Sequence, residues 1–311
     1  MAKSPKVEAE ENTALATVST ANNLPSVYEY DDEDAGAGFE NSETADFAVP
    51  FYHVLQATSK AVKECEDGSV RAGMIYNSVT QIAYDADSGK NKPGRLVIPC
   101  AYTHNFNEWR PRDSGGGFVG IHEPHSPFVR DIVAKGEFGK YKTPDGNDLV
   151  DTYTMYCLSV EENEGEFDFD TVEFDQVVIP HTSTKIAAFR NTASKMRMMT
   201  IPGTRKSFPI YSHIWRVQTK SQVNKGETSF NILWTLAFGS GRDAAAKSQI
   251  PTGSLLFEAA KKMYRLCADG EMQAKTQESM KKTGGEQAQE DNGFHRSSGA
   301  EDVSTAEGFG F

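Results

Sequence analysis

The sequence predicts an α+β fold that is mainly β, with disordered segments at both ends. Three observations lead there. Short runs rich in β-branched and aromatic residues recur between Gly and Pro breakers. Only two stretches carry a long helical stripe, and strands do not alternate with crossover helices as a doubly wound sheet requires. The ends are poor in large apolar residues, so they cannot offset the entropy of being ordered. The divisions are an acidic N-terminal segment at 1–45, a folded body at 46–268 and a flexible tail at 269–311.

Phe47 to Ala61 places Phe47, Phe51, Val54 and Leu55 at helical spacing and reads as a short opening helix. Met74 to Tyr76 and Gln81 to Tyr84 read as short strands. Arg95 to Tyr102 is the clearest buried strand, bounded by Pro93 and Gly94. Phe106 to Ile121 follows, with Glu108-Trp109-Arg110-Pro111-Arg112 ahead of Gly115, Gly116 and Gly117. Phe128 to Ala134 suits one or two helical turns. Asp151 to Val160 and Thr171 to Ile179 read as neighbouring strands across an acidic loop. His181 to Met199 carries Ile186, Phe189, Ala193 and Met196 on one stripe, with basic residues on its flanks. Tyr211 to Thr219 and Thr228 to Phe238 are strand-like, and Ser254 to Cys267 is the second long helix.

The net charge of -12 excludes a histone-like wrapping protein. The charge is unevenly placed, however. Glu161 to Asp175 holds eight carboxylates, whereas Gln176 to Gly226 holds no acid and nine Lys or Arg residues. Cys65, Cys100, Cys157 and Cys267 show neither disulfide-scaffold nor zinc spacing, which suggests reduced thiols. The N-terminus lacks an apolar signal core, and no run is long enough to cross a bilayer, so no membrane partner is expected.

No phosphate loop, dinucleotide fingerprint or metalloprotease His pair is present, and the expectation is a protein that is not an enzyme and needs no cofactor or metal. His104, His122, His125 and His181 with Glu108 or Asp113 form a weaker metal-site alternative. A cationic groove interleaved with aromatic platforms is what an unpaired strand requires, because its backbone needs cations and its bases need stacking faces. Phe106, Trp109, Tyr211 and Trp215 are the stacking candidates, with Tyr102 beside the first group. Arg110, Arg112, Lys185, Arg190, Lys195, Arg197 and Arg216 are the phosphate candidates. Trp109 and Trp215 read as core residues too, and Arg110 and Arg112 as ion-pair partners of nearby acids. Phe309 and Phe311, at the end of the sequence with the terminal carboxylate, suit a partner pocket with a basic rim.

The body resembles a family of tailed-bacteriophage proteins. The likeness runs through Asp46 to Phe51, Gly73 to Asn77 and Val97 to Cys100. It continues in Glu108 to Arg112 with the triple glycine, Ser183-Thr184 and Ser212-His213. The tail resembles those of phage single-stranded DNA-binding proteins that end in Phe, although the dense acidic run before that residue is missing. The resemblance implies an oligonucleotide-binding barrel elaborated by helices, which binds single-stranded DNA and protects it in replication and recombination in the host cytoplasm. Phage or host replication proteins would be recruited through the tail, and a homo-oligomer is compatible with this reading. The alternative it leaves open is a virion structural or assembly protein.

Overall fold

The spine of the fold is one strand of fifteen residues, β4 (Arg95–Trp109), whose apolar start and amphipathic end serve different layers. The computed structural model describes residues 48–137, 139–161, 167–224, 227–239 and 241–282. Three short strands, β1 (Tyr52–Val54), β2 (Ile75–Asn77) and β3 (Ala83–Tyr84), form a small antiparallel sheet preceding β4, with α1 (Lys60–Glu64) between β1 and β2. The remaining strands are β5 (Phe118–His122), β6 (Tyr141–Lys142), β7 (Asp148–Val160), β8 (Phe174–Thr182), β9 (Trp215–Asn224) and β10 (Glu227–Leu236). With β4 they make a seven-stranded antiparallel sheet.

β7 pairs with β4 from Leu96↔Val160 to Trp109↔Asp148, with a bulge between Pro99 and Ala101. On its other side β4 is shared: β9 takes the start and β5 the end. β7 is shared in the same way by β8 and β6. The sheet curls so far that β8 and β10, on opposite margins, both touch α3 (Lys185–Met198) and β1.

The expected barrel nevertheless does not close. Among the described residues, β1 meets β8 through one parallel bridge, Phe51↔Val178, and the segment after β3 meets β9 through another, Asp87↔Thr219. At the β10 margin the Gln56 side chain stands in for a strand, donating to the Phe230 carbonyl at 2.8 Å and accepting from its N–H at 2.9 Å. A side-chain amide satisfies one residue and cannot propagate a ladder, so two curved sheets take the place of a continuous cylinder.

Alternation along β4, β7 and β8 divides the core. Leu96, Ile98, Cys100, Tyr156, Leu158, Val160 and Val178 face α5 (Leu255–Ala268) and α6 (Glu271–Lys282). Val97, Met155, Cys157, Val177 and Ile179 face the small sheet, α3, Trp215 and Trp234. Farther along, Phe106, Leu149 and Tyr141 lie beneath Val129 of α2 (Pro127–Lys135). The short α4 (Arg242–Ser248) follows β10.

Two sequence expectations change here. Phe51, Val54 and Leu55 belong to β1 and its extension, because pairing with Ile75–Asn77 satisfies their backbone while burying them; helical spacing alone could not reveal this. The ordered body runs past 268 through α6, where Met272 and Met280 are buried and anchor an otherwise polar helix, by about 1.5–3 kcal/mol each. The triple glycine is a turn: Gly115, Gly116 and Gly117 all have positive φ, at 90°, 64° and 111°, and Arg110 N–H closes onto the Gly117 carbonyl at 2.9 Å. Only glycine adopts three such values in succession without steric cost.

Candidate functional site

β4 and β7 present one face that Phe189 of α3 and Val129 of α2 border and that stays partly open between them. On it the antiparallel register sets Tyr102 opposite Met155, His104 opposite Tyr153 and Phe106 opposite Asp151. Tyr102 is 51% exposed and meets Phe189 of α3 edge-on at 5.2 Å. His104 lies flat on Tyr153 with ring centroids 4.0 Å apart, and its Nε2 is 2.7 Å from Asp151 Oδ1. Tyr153 in turn packs on Phe189 at 4.7 Å. Arg190 of α3 donates from Nη2 to the Tyr153 hydroxyl at 3.3 Å and lies 5.4 Å from that ring's centre. The hydrogen bond to Tyr153 holds the guanidinium above its usual pKa, with a further contribution from the Asp151 charge.

A second imidazole–carboxylate pair borders the row. His122 Nε2 is 2.7 Å from Glu108 Oε2, and Asn147 Nδ2 donates to Glu108 Oε1 at 2.7 Å. Burial would raise the Glu108 carboxyl, yet hydrogen bonds from Asn147 and His122 outweigh it and hold it below its usual value. His122 also meets the exposed Phe128 of α2 at 4.7 Å. Of the histidines of the metal-site alternative, His104 and His122 contact separate carboxylates and His181 accepts from the Trp234 indole, and among the described residues no three ligating side chains converge as a metal site would need.

The sequence-derived candidates fall into distinct places. Phe106, Trp109 and Trp215 are buried at 7%, 3% and 3% exposure, so no base can stack on them in this fold. Trp109 packs edge-on against Phe118 at 5.2 Å. Tyr211 is half-buried on the opposite layer, against Phe257 and Tyr264 of α5. Arg216 ties strands together, donating to the carbonyls of Ala237 and Pro93 at 3.2 and 2.8 Å. Lys185 is buried at the start of α3, and burial brings its amine down to about 7. Arg190, Lys195 and Arg197 are exposed on α3, and Arg110 is exposed after β4. The Arg112 side chain, Phe309 and Phe311 lie outside what the structure describes.

The acid-free stretch becomes a contiguous tract: the end of β8, α3, a hairpin closed by Ile201–Lys206 and Phe208–Met199 hydrogen bonds, and β9. Arg205 and Lys206 on that hairpin are exposed beside the exposed end of α3. Arg190 and Arg197, seven residues apart, project from nearly the same side of α3 about 10 Å along its axis. Tyr153 and Asp151 are the residues the sequence reading passed over. The signal was the alternation of β7, which puts 151, 153 and 155 on one face, but it became useful only once β4 was known to be the partner.

Among the described residues no helix is long and apolar enough to cross a membrane. No curated protein and no solved structure matches the chain. Residues 17–273, most of the sequence, match the family model described as Pam3 phage gp34-like protein, and the chain belongs to that family of bacteriophage proteins.

Proposed function

We propose that this phage protein binds single-stranded DNA through the open face of β4 and β7 and the basic side of α3, acting by binding and without a catalytic cycle. The observation that supports this best is the partly open ring row Tyr102, His104 and Tyr153, bordered directly by Arg190. Rings offer a stacking face to any base, and a guanidinium at their border takes the adjoining phosphate. Arg197, Lys195, Arg205 and Lys206 continue the cationic track, while the overall negative charge keeps the rest of the surface from adhering to polyanions. Trp109 packs beneath the sheet on its opposite face. In this reading the protein shields unpaired strands during phage replication or recombination in the host cytoplasm, and the terminal Phe309 and Phe311 recruit a replication partner.

The test is equilibrium binding of the full chain to a labelled single-stranded 30-mer, with matched duplex as competitor, across a salt series. Expected is duplex-resistant binding whose log affinity falls with log salt by about 0.7 for each phosphate neutralised. Absence of binding even at low salt overturns the reading and leaves the virion or assembly role in its place.

A further inference from the structure

The β9–β10 ribbon outruns the body that supports it. At its base Val217, Thr219, Ile232 and Trp234 are buried. The last supports are Thr219 and Phe230. Thr219 donates its N–H to the Ala86 carbonyl at 2.8 Å and its hydroxyl to the Gly73 carbonyl at 2.6 Å, and Phe230 is clamped by Gln56. Beyond them the strands stay paired as far as Asn224↔Glu227, yet Lys220, Ser221, Gln222, Val223, Thr228 and Ser229 are all exposed, Val223 to 74%. Successive residues of a strand face opposite sides, so both faces of this stretch meet solvent over about 14 Å. A two-stranded ribbon with no third strand or helix behind it is marginal alone, and a partner stabilises it.

The chemistry of the exposed stretch fits a duplex better than an unpaired strand. From 220 to 229 the sequence has no aromatic residue, so the ribbon offers bases nothing to stack on. It offers hydrogen-bonding side chains instead: Lys220 and Gln222 share one face, with Ser229 directly opposite Gln222. A two-stranded ribbon, like an α-helix, fits the major groove, where such side chains meet base edges and phosphates. The charge is complementary too, since Trp215 to Leu236 holds one acid, Glu227, against Arg216, Lys220 and Lys225. The base of the ribbon is also near the ring row. Asn231, opposite Lys220, donates to the carbonyl of Thr184 just ahead of α3, and Phe189 and Arg190, about 9 Å farther along that helix, touch Tyr102 and Tyr153. We propose that the ribbon docks in the groove of duplex DNA next to the bound strand, so that the preferred substrate is a single strand joined to duplex; this inference rests on the single-strand-binding reading. So few cations hold a duplex only weakly by themselves, and the contact adds affinity once the adjoining strand is bound and raises the local concentration of duplex.

The experiment compares a thymine 20-mer with the same strand joined to a hairpin duplex at its 5′ or its 3′ end, and with the hairpin duplex alone. It uses the full chain and a double variant, Lys220→Gln with Gln222→Ala. Expected is about tenfold tighter binding of one junction than of the strand, weak binding of the duplex alone, and a salt slope steeper by about 0.9 for each duplex phosphate met. The double variant should lose the junction advantage while its melting temperature and its affinity for the 20-mer stay near the parent's, because both side chains are exposed beyond the ring row. Equal affinity for the strand and both junctions, or an advantage that survives in the double variant, overturns duplex docking and leaves strand binding standing. Sedimentation of the DNA-free chain adds a second check: a dimer that the double variant dissociates would make the ribbon a contact between copies and overturn the proposal as well. Failure to bind the 20-mer removes the binding reading itself.

Discussion

The imidazole of His104 lies 4.0 Å from the ring of Tyr153 with the planes 5° from parallel, and these two stacked rings join the carboxylate of Asp151 to the guanidinium of Arg190. Each ring is held at its polar end by a charged neighbour, so the pair is oriented before any ligand arrives. Each ring thereby covers one face of the other, and Tyr153 also packs on Phe189 at 4.7 Å.

Removing the exposed edge of the platform and removing a cation from α3 should have different signatures. Tyr102→Ala loses a stacking surface worth about 1–3 kcal/mol, and the salt dependence of binding should not change. Arg197→Gln should lower the salt slope by about 0.7 and leave the protein's melting temperature near that of the parent. Titrations of both variants at four salt concentrations check this, and a slope change in Tyr102→Ala would contradict the assignment.

Buried tryptophans should report on stability. Trp109→Ala empties a site filled to 3% exposure and should cost roughly 3–5 kcal/mol in urea denaturation. The Trp109 indole N–H has no hydrogen-bond partner among the described residues, whereas that of Trp234 donates to His181 Nε2 at 3.2 Å. Trp234→Phe should therefore cost more than Trp109→Phe, by about 1–3 kcal/mol for the buried acceptor left unpaired. Equal costs would place the polar contact elsewhere.

Acid should weaken the fold before carboxylates begin to titrate. Burial pushes His181 down to about 3 and His213 to about 4. Above pH 6.5 both folded and unfolded forms are neutral and neither group contributes. Below it the unfolded chain takes up protons that the folded one refuses, so stability falls by up to about 1.4 kcal/mol per pH unit for each histidine until the native values are reached. Denaturation midpoints measured between pH 7.5 and 4.5 should show this slope, and His213→Gln should flatten it. A profile unchanged by that substitution would show that His213 takes up its proton without unfolding.

Gly94 is required where β4 starts. Its φ is 67°, and an added Cβ would lie 2.1 Å from the Val217 carbonyl oxygen of β9. Gly94→Ala must therefore push β9 away from the β4 spine as well as strain the backbone, and a loss of more than about 2 kcal/mol is expected. A melting temperature equal to the parent's would mean that the β4–β9 junction gives way without cost.

The sequence by itself determined the mainly-β character, the span of β7 to within a few residues, the two long helices and the acid-free basic tract. Each is set by local periodicity or composition, which survive without knowledge of neighbours. It left open whether Trp109 and Trp215 are platforms or core, because an aromatic beside arginines reads the same in either place. The tertiary structure decided that question by pairing β4 with β7 from Leu96 to Trp109, and with β9 at Trp215. That register turned Trp109 inward against Phe118 and brought Tyr102, His104, Tyr153 and Asp151 onto one open face. Residues about fifty positions apart became neighbours through backbone hydrogen bonds between strands. No local pattern encodes which strand will supply those bonds, so only the fold could assemble the site.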